Sequence, residues 1–591
     1  MGALRYAGVG ALAVAALTAV VGAGTPATAQ GGGGDPPQPN VIVVMTDDQT
    51  QASMALMPNV QADLVAAGAN FANSFTNWSL CCPSRATFYS GQYAHNHGVL
   101  GNAPPDGGFT RFNDSNALPV WLQAAGYRTI HIGKYLNGYG QDANDPAYVP
   151  PGWNEWSAAT AGTTQSVYDY VINRNGSLVN YGAAPAEFKQ DVFSDLAVEA
   201  IARNAPGGPF FLGLMYTAPH SGGPNPNPNP PTNCGTSAKP APRHAGAFDS
   251  APLPQPPSFN EADVSDKPAA IQAQAQFTPA QINTIQRRYR CRLESLLSVD
   301  DGVGRIVDAL EAAGELDQTM IVFTSDNGFF AGEHRIAGGK NRVYEEAMRV
   351  PLAIRGPGVP AGVTIDDLAI NADLAPTVAD AADATPGLAS DGRSLLPSAE
   401  HPDRLRGREL LFEKGDVVDD DDDGVPQTGT FAAVRTDRYV YVQNLTGEIE
   451  LYDLELDPGQ LQNQAANPSF DAVEAALAAR LATLRSCAGA GCLTRPDLKL
   501  KLPRSVRENG RSCRPARDFL ARVRGSAAGR VVAAGFAVGA TQAGEDVATP
   551  FKRELRPSLL RAKRRPEIRV VAELLDGRRL SLQKRVRICK Q

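Results

Sequence analysis

The stretch Asn40–Thr46, with the sequence NVIVVMT, is a nearly continuous apolar run that ends directly before Asp47 and Asp48. An unbroken apolar strand is typical of a parallel sheet that is covered on both faces. Four further runs of this kind lie along the chain, and each leads to polar or charged residues: 128–133 before Lys134, 209–215 before His220, 320–324 before Asp326 and Asn327, and 350–354 before Arg355.

Helical patterns lie between these apolar runs, as at 191–205 and 280–313. Alternating strands and helices predict an α/β fold with a doubly wound parallel sheet, which we assign to residues 39–407. Ligands of such sheets bind at the carboxyl ends of the strands. We therefore expect one edge of the sheet to gather Asp47, Asp48, Lys134, His220, Asp326 and Asn327.

The pattern changes after residue 407. Short strands at 430–435 and 439–443 and a helix at 472–484 predict a smaller α+β subdomain over 408–486. Alternating runs beyond it predict a small β-rich basic module over 487–591. A Pro-, Asn- and Gly-rich stretch at 219–257 is too long for a plain connection, and we interpret it as a lid or rim loop.

Composition and charge exclude several classes of protein. The 591 residues are 43% hydrophobic and 20% charged, which excludes wholesale disorder and a collagen-like fibre. The net charge of −7 argues against nucleic acid as a partner. The charge is unevenly distributed, because residues 491–591 hold 25 Lys and Arg against 9 Asp and Glu. This basic tail either docks on the acidic body or gathers a polyanionic substrate.

An acidic run at 416–424 also has two interpretations, a solvated surface loop or a surface calcium site.

The N-terminus resembles an export signal. Arg5, the apolar run 9–21 and the small residues at 27–29 predict a signal peptide over 1–29, cleaved near Ala29, and a flexible leader over 30–38. The alternative is an N-terminal membrane anchor, but the apolar run is short for a membrane span, and no later segment could form one. The sequence therefore predicts a secreted protein without a membrane span.

The eight cysteines are consistent with export. The pairs Cys234/Cys291, Cys487/Cys492 and Cys513/Cys589 would make three disulfides, although the sequence leaves their connectivity open. The adjacent Cys81 and Cys82 are poorly placed for an ordinary disulfide, and we interpret Cys82 as a buried, unpaired thiol.

The densest motif of the chain is CCPSRAT at 81–87, followed by Ser90 and Gly91. This C-x-P-S-R pattern resembles the signature of the formylglycine-dependent sulfatase family. The resemblance extends from about residue 39 to 468 and includes the segments 47–48, 133–137, 217–220, 325–328, 339–340, 451–454 and 457–458. Segments 80–85, 93–97 and 134–137 are similar to the N-acetylglucosamine-6-sulfatase and heparan 6-sulfatase branch.

The resemblance implies an alkaline-phosphatase-like core and assigns roles to individual residues. Cys81 would be oxidised by a formylglycine-generating enzyme, and the hydrated aldehyde would attack sulfur and later eliminate sulfate. Arg85 would contact this diol, Lys134 and Lys340 the sulfate, and His220 would assist the leaving group. We also expect Pro83 and Ser84 to start the helix that follows.

The same resemblance implies one divalent cation. Asp47, Asp48, Asp326 and Asn327 offer only oxygen ligands, and the residue-81 hydroxyl would complete the shell. Hard oxygen donors favour Ca²⁺, with Mg²⁺ as the alternative, over zinc.

One position departs from the pattern. Many sulfatases have a histidine shortly after the first lysine, whereas Asn137 stands here, and an amide is not a general base. The 6-sulfatase branch shares this asparagine. His95, His97 and His131 are candidates for the missing base, although the first two could equally pack behind the motif helix. We interpret Glu333-His334 as a loop feature.

We therefore expect a sulfuric ester hydrolase that acts on a sulfated carbohydrate, with 6-O-sulfated glucosamine as the preferred substrate. The alternatives are an arylsulfatase or choline-type sulfatase, a phosphodiester or phosphonate hydrolase on the same scaffold, and an inactive glycan-binding relative. Cys81 together with the complete set of metal ligands argues against the inactive relative.

Overall fold

The structure is a computed structural model that describes residues 38–591 apart from 142–144, 161, 223–233, 403, 416–429, 494, 564 and 591. The predicted signal peptide, residues 30–37 of the leader, the acidic run 416–424 and the 223–233 part of the rim loop lie outside the described residues. Within the described part, none of the helices combines the length and apolar character needed to cross a bilayer.

The first part of the chain forms twelve strands. They are β1 (Asn40–Thr46), β2 (Ala69–Phe71), β3 (Ser74–Phe75), β4 (Arg128–Gly133), β5 (Glu155–Ala159), β6 (Tyr170–Arg174), β7 (Ser177–Tyr181), β8 (Phe210–Met215), β9 (Thr319–Ser325), β10 (Leu352–Arg355), β11 (Val363–Ile365) and β12 (Ala369–Ile370). The strands of the C-terminal part are β13 (Leu410–Lys414), β14 (Phe431–Arg435), β15 (Tyr439–Asn444), β16 (Ile449–Asp453), β17 (Lys499–Lys501), β18 (Val506–Glu508), β19 (Arg511–Cys513), β20 (Leu520–Arg524), β21 (Val531–Val538), β22 (Thr541–Asp546), β23 (Lys552–Glu554), β24 (Glu567–Leu574) and β25 (Arg579–Arg585).

Eleven α-helices are present in the described residues. They are α1 (Cys81–Ser90), α2 (Ala94–His97), α3 (Leu118–Ala124), α4 (Lys189–Asn204), α5 (Ala269–Gln272), α6 (Pro279–Ala313), α7 (Glu345–Met348), α8 (Leu374–Ala381), α9 (Leu396–Glu400), α10 (Asp471–Leu484) and α11 (Pro557–Arg561).

The central sheet has ten strands in the order β11-β2-β10-β9-β1-β8-β4-β5-β6-β7. Strands β9, β1, β8 and β4 are neighbours and run parallel. Apolar clusters cover both faces, which explains why these four strands are largely apolar. The α/β prediction is therefore confirmed.

The fifth predicted run forms β10, which pairs antiparallel with β9. A parallel return needs a crossover along the face of the sheet. Between β9 and β10 the chain has only loops and the short helix α7, so it reverses direction, and the sheet is mixed rather than all parallel.

Strands β13–β16 form an antiparallel sheet that packs against α10, as expected for an α+β segment. The residues after it form three small sheets, β17-β20-β23, β18-β19 and β22-β21-β24-β25. These residues have an apolar cluster of their own, which includes Phe519, Phe536 and Val570. The boundaries 39–407, 408–486 and 487–591 remain predictions.

The three cysteine pairs expected from the sequence form disulfides, Cys234–Cys291, Cys487–Cys492 and Cys513–Cys589. Cys81 and Cys82 are buried free thiols.

Candidate functional site

The carboxyl ends of the four neighbouring parallel strands bring the predicted polar residues to one edge of the sheet. Asp47 and Asp48 follow β1, Lys134 follows β4, and Asp326 and Asn327 follow β9. His220 lies in the turn after β8, which lies between β1 and β4. Strand order alone therefore explains how residues 47 and 327 come to share one site.

Helix α1 brings Cys81 to the same edge. The helix begins at Cys81, not at Pro83 and Ser84, so the expected start is wrong by two residues. Pro83 fits within the first turn because the N–H groups there have no helical acceptor. The Ser84 hydroxyl does not cap the helix but donates to the carbonyl of Asp326 (2.5 Å), and this bond ties α1 to the end of β9.

Three carboxylates form the centre of the site. Single oxygens of Asp47, Asp48 and Asp326 lie within 4.8 Å of one another, and all three side chains are buried. Asp48 has a left-handed backbone (φ 70°), and its N–H donates to Asp326 Oδ1 (3.1 Å). Asn327 Nδ2 donates to Asp48 Oδ1 (2.7 Å). A strained non-glycine residue at this point is a feature that functional sites often share.

Three buried cations surround the carboxylates. Lys134 Nζ lies 2.6 Å from Asp47 Oδ2, and Arg85 Nε lies 2.8 Å from Asp326 Oδ2. Lys340 Nζ lies 2.5 Å from Asp48 Oδ1 and 2.9 Å from Cys81 Sγ.

Burial and charge act in opposite directions on these carboxylates. Burial favours the neutral form of Asp47, but Lys134 and the other cations outweigh it and lower its pKa. Burial, together with the charge of Asp47, raises the pKa of Asp326 to about 6. The three carboxylates would therefore be stabilised by one more positive charge, such as a metal ion.

The donor set fits a hard divalent cation. Crowded buried carboxylates repel one another, and a cation between them relieves that repulsion. Asn327 Oδ1 is buried and has no hydrogen-bond partner among the described residues, as expected for an oxygen that binds a metal. All four side chains, Asp47, Asp48, Asp326 and Asn327, offer oxygen.

Cys81 and His220 complete the cluster. Cys81 Sγ lies 3.5 Å from Asp47 Oδ1, and burial raises the pKa of its thiol well above the usual value, although Lys134 and Lys340 oppose the shift. His220 Nδ1 lies 2.9 Å from the carbonyl of Ser221, which assigns its proton to Nδ1 in the neutral ring. Nε2 faces Asp48 Oδ2 at 3.8 Å and is the nitrogen available to the site.

Comparison with known proteins agrees with this geometry. The sequence model described as Sulfatase matches residues 39–384, and the model described as N-sulphoglucosamine sulphohydrolase, C-terminal, matches residues 332–487. The chain belongs to the sulfatase family. It is therefore a sulfuric ester hydrolase, as the sequence predicts.

Two relatives and two solved structures illustrate the similarity. An arylsulfatase of Volvox carteri is 34% identical over 77% of this chain and 76% of its own, and the N-acetylglucosamine-6-sulfatase of Homo sapiens is 31% identical over 77% and 86%. A structure described as a complex with its substrate D-glucosamine-2-N,6-O-disulfate is 25% identical with a TM-score of 0.63, over 76% of this sulfatase and 98% of that chain. The phosphonate monoester hydrolase of Agrobacterium radiobacter shares the fold, with 23% identity and a TM-score of 0.57 over 76% and 95%.

The three histidines that are candidates for the missing base, and Asn137 itself, have contacts with groups other than the three carboxylates. The backbone carbonyl of Asn137 accepts a hydrogen bond from Phe109 N, and its buried Oδ1 has no partner in the described ranges. His95 pairs with Glu413, and His97 lies 3.0 Å from Thr87 on the motif helix. His131 is buried and stacked on Trp156. Burial lowers the pKa of both His97 and His131 to about 3.

Glu333 and His334 lie in the loop between β9 and α7, where His334 is buried and the half-buried Glu333 accepts a hydrogen bond from Ala331 N (2.6 Å). His334 Nδ1 lies 2.8 Å from Glu261 Oε2, and its Nε2 lies 3.6 Å from Glu346 Oε2. Both distances describe structural ion pairs outside the carboxylate site.

Sequence reasoning missed Arg292 of α6. Its guanidinium donates to the carbonyl of Asp48 and lies 3.7 Å from the centre of the Phe329 ring. An arginine on the buried face of an amphipathic helix is the signal that could have identified it. Arg292 also lines a cavity of about 550 Å³ that reaches Thr50, Pro219 and Phe329, close in sequence to Asp48, His220 and Asn327.

Proposed function

We propose that this sulfatase hydrolyses the sulfate ester of a sulfated sugar, with 6-O-sulfated glucosamine as the preferred substrate, after oxidation of Cys81 to formylglycine. The observation that carries the proposal is the position of Cys81. It is the first residue of α1, and its Sγ lies beside both Lys340 and Asp47 in a cluster of carboxylates and cations.

The residues around position 81 have complementary tasks in this proposal. Formylglycine supplies a hydrated aldehyde, one hydroxyl of which serves as nucleophile while the other allows sulfate to be released. Arg85 orients this group, and Lys134 and Lys340 bind the sulfate oxygens as point charges. His220 would donate the Nε2 proton of its imidazolium form to the leaving oxygen, while Nδ1–H stays bonded to the Ser221 carbonyl.

Asp47, Asp48, Asp326 and Asn327 would hold one divalent cation. We propose Ca²⁺ first, because flexible carboxylate and amide oxygens suit it, with Mg²⁺ as the alternative. Bound there, the cation supplies positive charge that polarises the sulfate.

The cavity next to Pro219 and His220 is large enough to hold a sizeable leaving group. Its volume of about 550 Å³ and its mixed lining of Arg292, Tyr289, Phe329 and Glu333 suit a sugar, whose ring has apolar faces and polar edges. The N-acetylglucosamine-6-sulfatase and glucosamine disulfate matches favour an amino sugar. Because the Volvox carteri relative is described as an arylsulfatase, an aryl sulfate is the second candidate substrate.

We further propose that the protein is secreted. Three disulfides suit an oxidising compartment, and two of its relatives are described as extracellular sulfatases. Oxidation of Cys81 would require a formylglycine-generating enzyme before folding buries the thiol.

The test combines mass spectrometry with a substrate panel. We expect peptides from active protein to carry an aldehyde in place of the Cys81 thiol, and Cys81→Ala to abolish turnover. Cys82→Ala, at the adjacent buried thiol, is the matched control and retains activity. The panel contains glucosamine 6-sulfate, N-acetylglucosamine 6-sulfate, nitrophenyl sulfate, choline sulfate and nitrophenyl phosphonate. An active Cys81→Ala protein would rule out the formylglycine mechanism, and faster turnover of the aryl ester would replace the sugar assignment.

A further inference from the structure

The sheet β17-β20-β23 presents a row of positive charge to solvent. Ala521 and Val523 of β20 are buried, so the alternating residues Arg522 and Arg524 lie on the opposite face. The register pairs Lys499 with Arg524, Lys501 with Arg522, and Arg522 with Lys552. Directly paired residues share a face of the sheet, so this cationic face consists of Lys499, Lys501, Arg522, Arg524 and Lys552.

Like charges directly opposite one another destabilise a sheet. In the part of the chain that the structure describes, Lys501, Arg522, Arg524 and Lys552 have no ion pair with a carboxylate. The acidic groups near this face are Asp497, 3.2 Å from Lys499 Nζ, Asp546, which accepts a hydrogen bond from Lys552 N (2.8 Å), and Glu554, which lies opposite Leu520 at its end. Folding alone therefore does not account for this arrangement.

The remainder of the basic tail includes residues that are neutralised within the protein. Arg578 lies 2.8 Å from Glu409, Arg579 lies 3.3 Å from Glu455, and Glu573 lies 3.1 Å from Arg438. These ion pairs attach the tail to the rest of the protein, and they do not involve the residues of the cationic face. The two interpretations of the basic tail thus apply to different surfaces of the same module.

We propose that the cationic face binds a sulfated polysaccharide. Strand geometry sets the backbone positions of these residues about 4.8 Å apart across strands and about 6.7 Å apart along them, a grid from which the long side chains can contact several sulfate groups of one chain at once. Among the described residues of this face there is no aromatic side chain for base stacking, and its one apolar residue, Leu520, is half-buried at one end opposite Glu554. These features favour a polysaccharide over single-stranded nucleic acid or an anionic membrane.

The experiment measures binding of the full-length protein without turnover, so its result does not depend on the proposed catalytic substrate. The face variant is Lys501→Ser/Arg522→Ser/Lys552→Ser. The matched control is Lys563→Ser/Arg565→Ser/Lys590→Ser, which removes the same charge at exposed positions away from the sheet. Each protein is titrated with dextran sulfate, neutral dextran, duplex DNA and phosphatidylserine vesicles at several salt concentrations.

We expect the face variant to bind dextran sulfate at least about tenfold more weakly at low salt, and its dependence on salt to be shallower. The control variant should bind within about threefold of the wild type, as expected if position matters more than net charge. Because the replaced cations repel one another, we also expect the face variant to keep its thermal midpoint.

Three outcomes would overturn the proposal. They are equal loss of binding in both variants, wild-type binding of dextran sulfate no tighter than that of neutral dextran, and tighter binding of DNA or vesicles than of dextran sulfate. A face variant that unfolds earlier would indicate a structural role for the cations instead.

Discussion

At the scale of single residues, the site is an arrangement of opposite charges in a buried volume. Lys134, Arg85 and Lys340 each face one of the three carboxylates, and within the part of the chain that the structure describes Asn327 Oδ1 has no hydrogen-bond partner. The sequence predicted these residues because each follows a strand that ends at one edge or belongs to a recognisable motif. It could not predict Arg292 or the Ser84 bond, because both depend on which elements pack together.

Asp326→Ala removes one of the proposed oxygen ligands and the carboxylate that lies 2.8 Å from Arg85 Nε. We expect kcat/KM on a sulfate ester to fall by at least about 100-fold, since a metal and a nucleophile would both lose their position. Chelation followed by Ca²⁺ or Mg²⁺ should restore the wild type and not the variant. Glu311→Ala, at an exposed position of α6, is the control. Near-wild-type turnover by Asp326→Ala would remove this carboxylate from the proposed metal site.

At the scale of elements, the apolar runs predicted β1, β4, β8 and β9 to within a residue or so at each end. The direction of β10 and the start of α1 were wrong, because the first depends on the path of a loop and the second on helix-terminal geometry. Helices α4 and α6 were predicted from their apolar periodicity. Their close packing beside β8 was not, because it depends on a small residue, Gly302, at the contact.

Gly302→Ala tests this contact. A Cβ at Gly302 would lie 2.2 Å from the Tyr216 hydroxyl and 2.4 Å from Ser194 Oγ, two buried groups that bond to each other. We expect a loss of about 1–3 kcal/mol in the free energy of unfolding, measured with denaturant. In Gly304→Ala, two residues further along, the added Cβ meets the end of the Asn59 side chain at 3.1 Å, and we expect little change or a gain because alanine favours the helix. Equal effects would contradict the packing argument.

Helix α2 is linked to β13 by a titratable pair. Burial lowers the pKa of His95, but Glu413, 2.9 Å away, outweighs this and raises it to about 9 from 6.5. Stabilisation by the charged His95 is therefore complete below pH 6.5 and is lost as the pH rises through about 9. We expect the thermal midpoint to fall over this interval, and His95→Asn to show a smaller fall.

The control for this pH dependence is His401→Asn, at an exposed position, which should keep the wild-type profile. Identical pH profiles for His95→Asn and the wild type would show that this pair does not contribute to the pH dependence.

At the scale of the whole molecule, an acidic body and a basic tail are joined by specific ion pairs rather than by bulk attraction. The charge imbalance was visible in the sequence, and it predicted that the tail has an electrostatic role. It did not indicate which basic residues dock and which remain in solvent, because strand register decides that. Arg578 of the β24–β25 turn docks on Glu409, whereas Arg522 and Lys501 face outwards.

Glu409 is the residue on which this docking depends most. It is buried and contacts both Arg578 (Nη1–Oε2 2.8 Å) and Arg480. Glu409→Gln removes the charge that faces the half-buried Arg480 and leaves the buried Arg578 with Asp576 (2.8 Å), and we expect a loss of about 3 kcal/mol in the free energy of unfolding. Glu455→Gln makes the same change at a half-exposed partner of Arg579 and should cost at most about 1 kcal/mol. Denaturant titration of both variants separates the two cases. If they lose the same small amount, the module is held by apolar contacts such as Leu575 on the neighbouring core, and its ion pairs serve only to orient it.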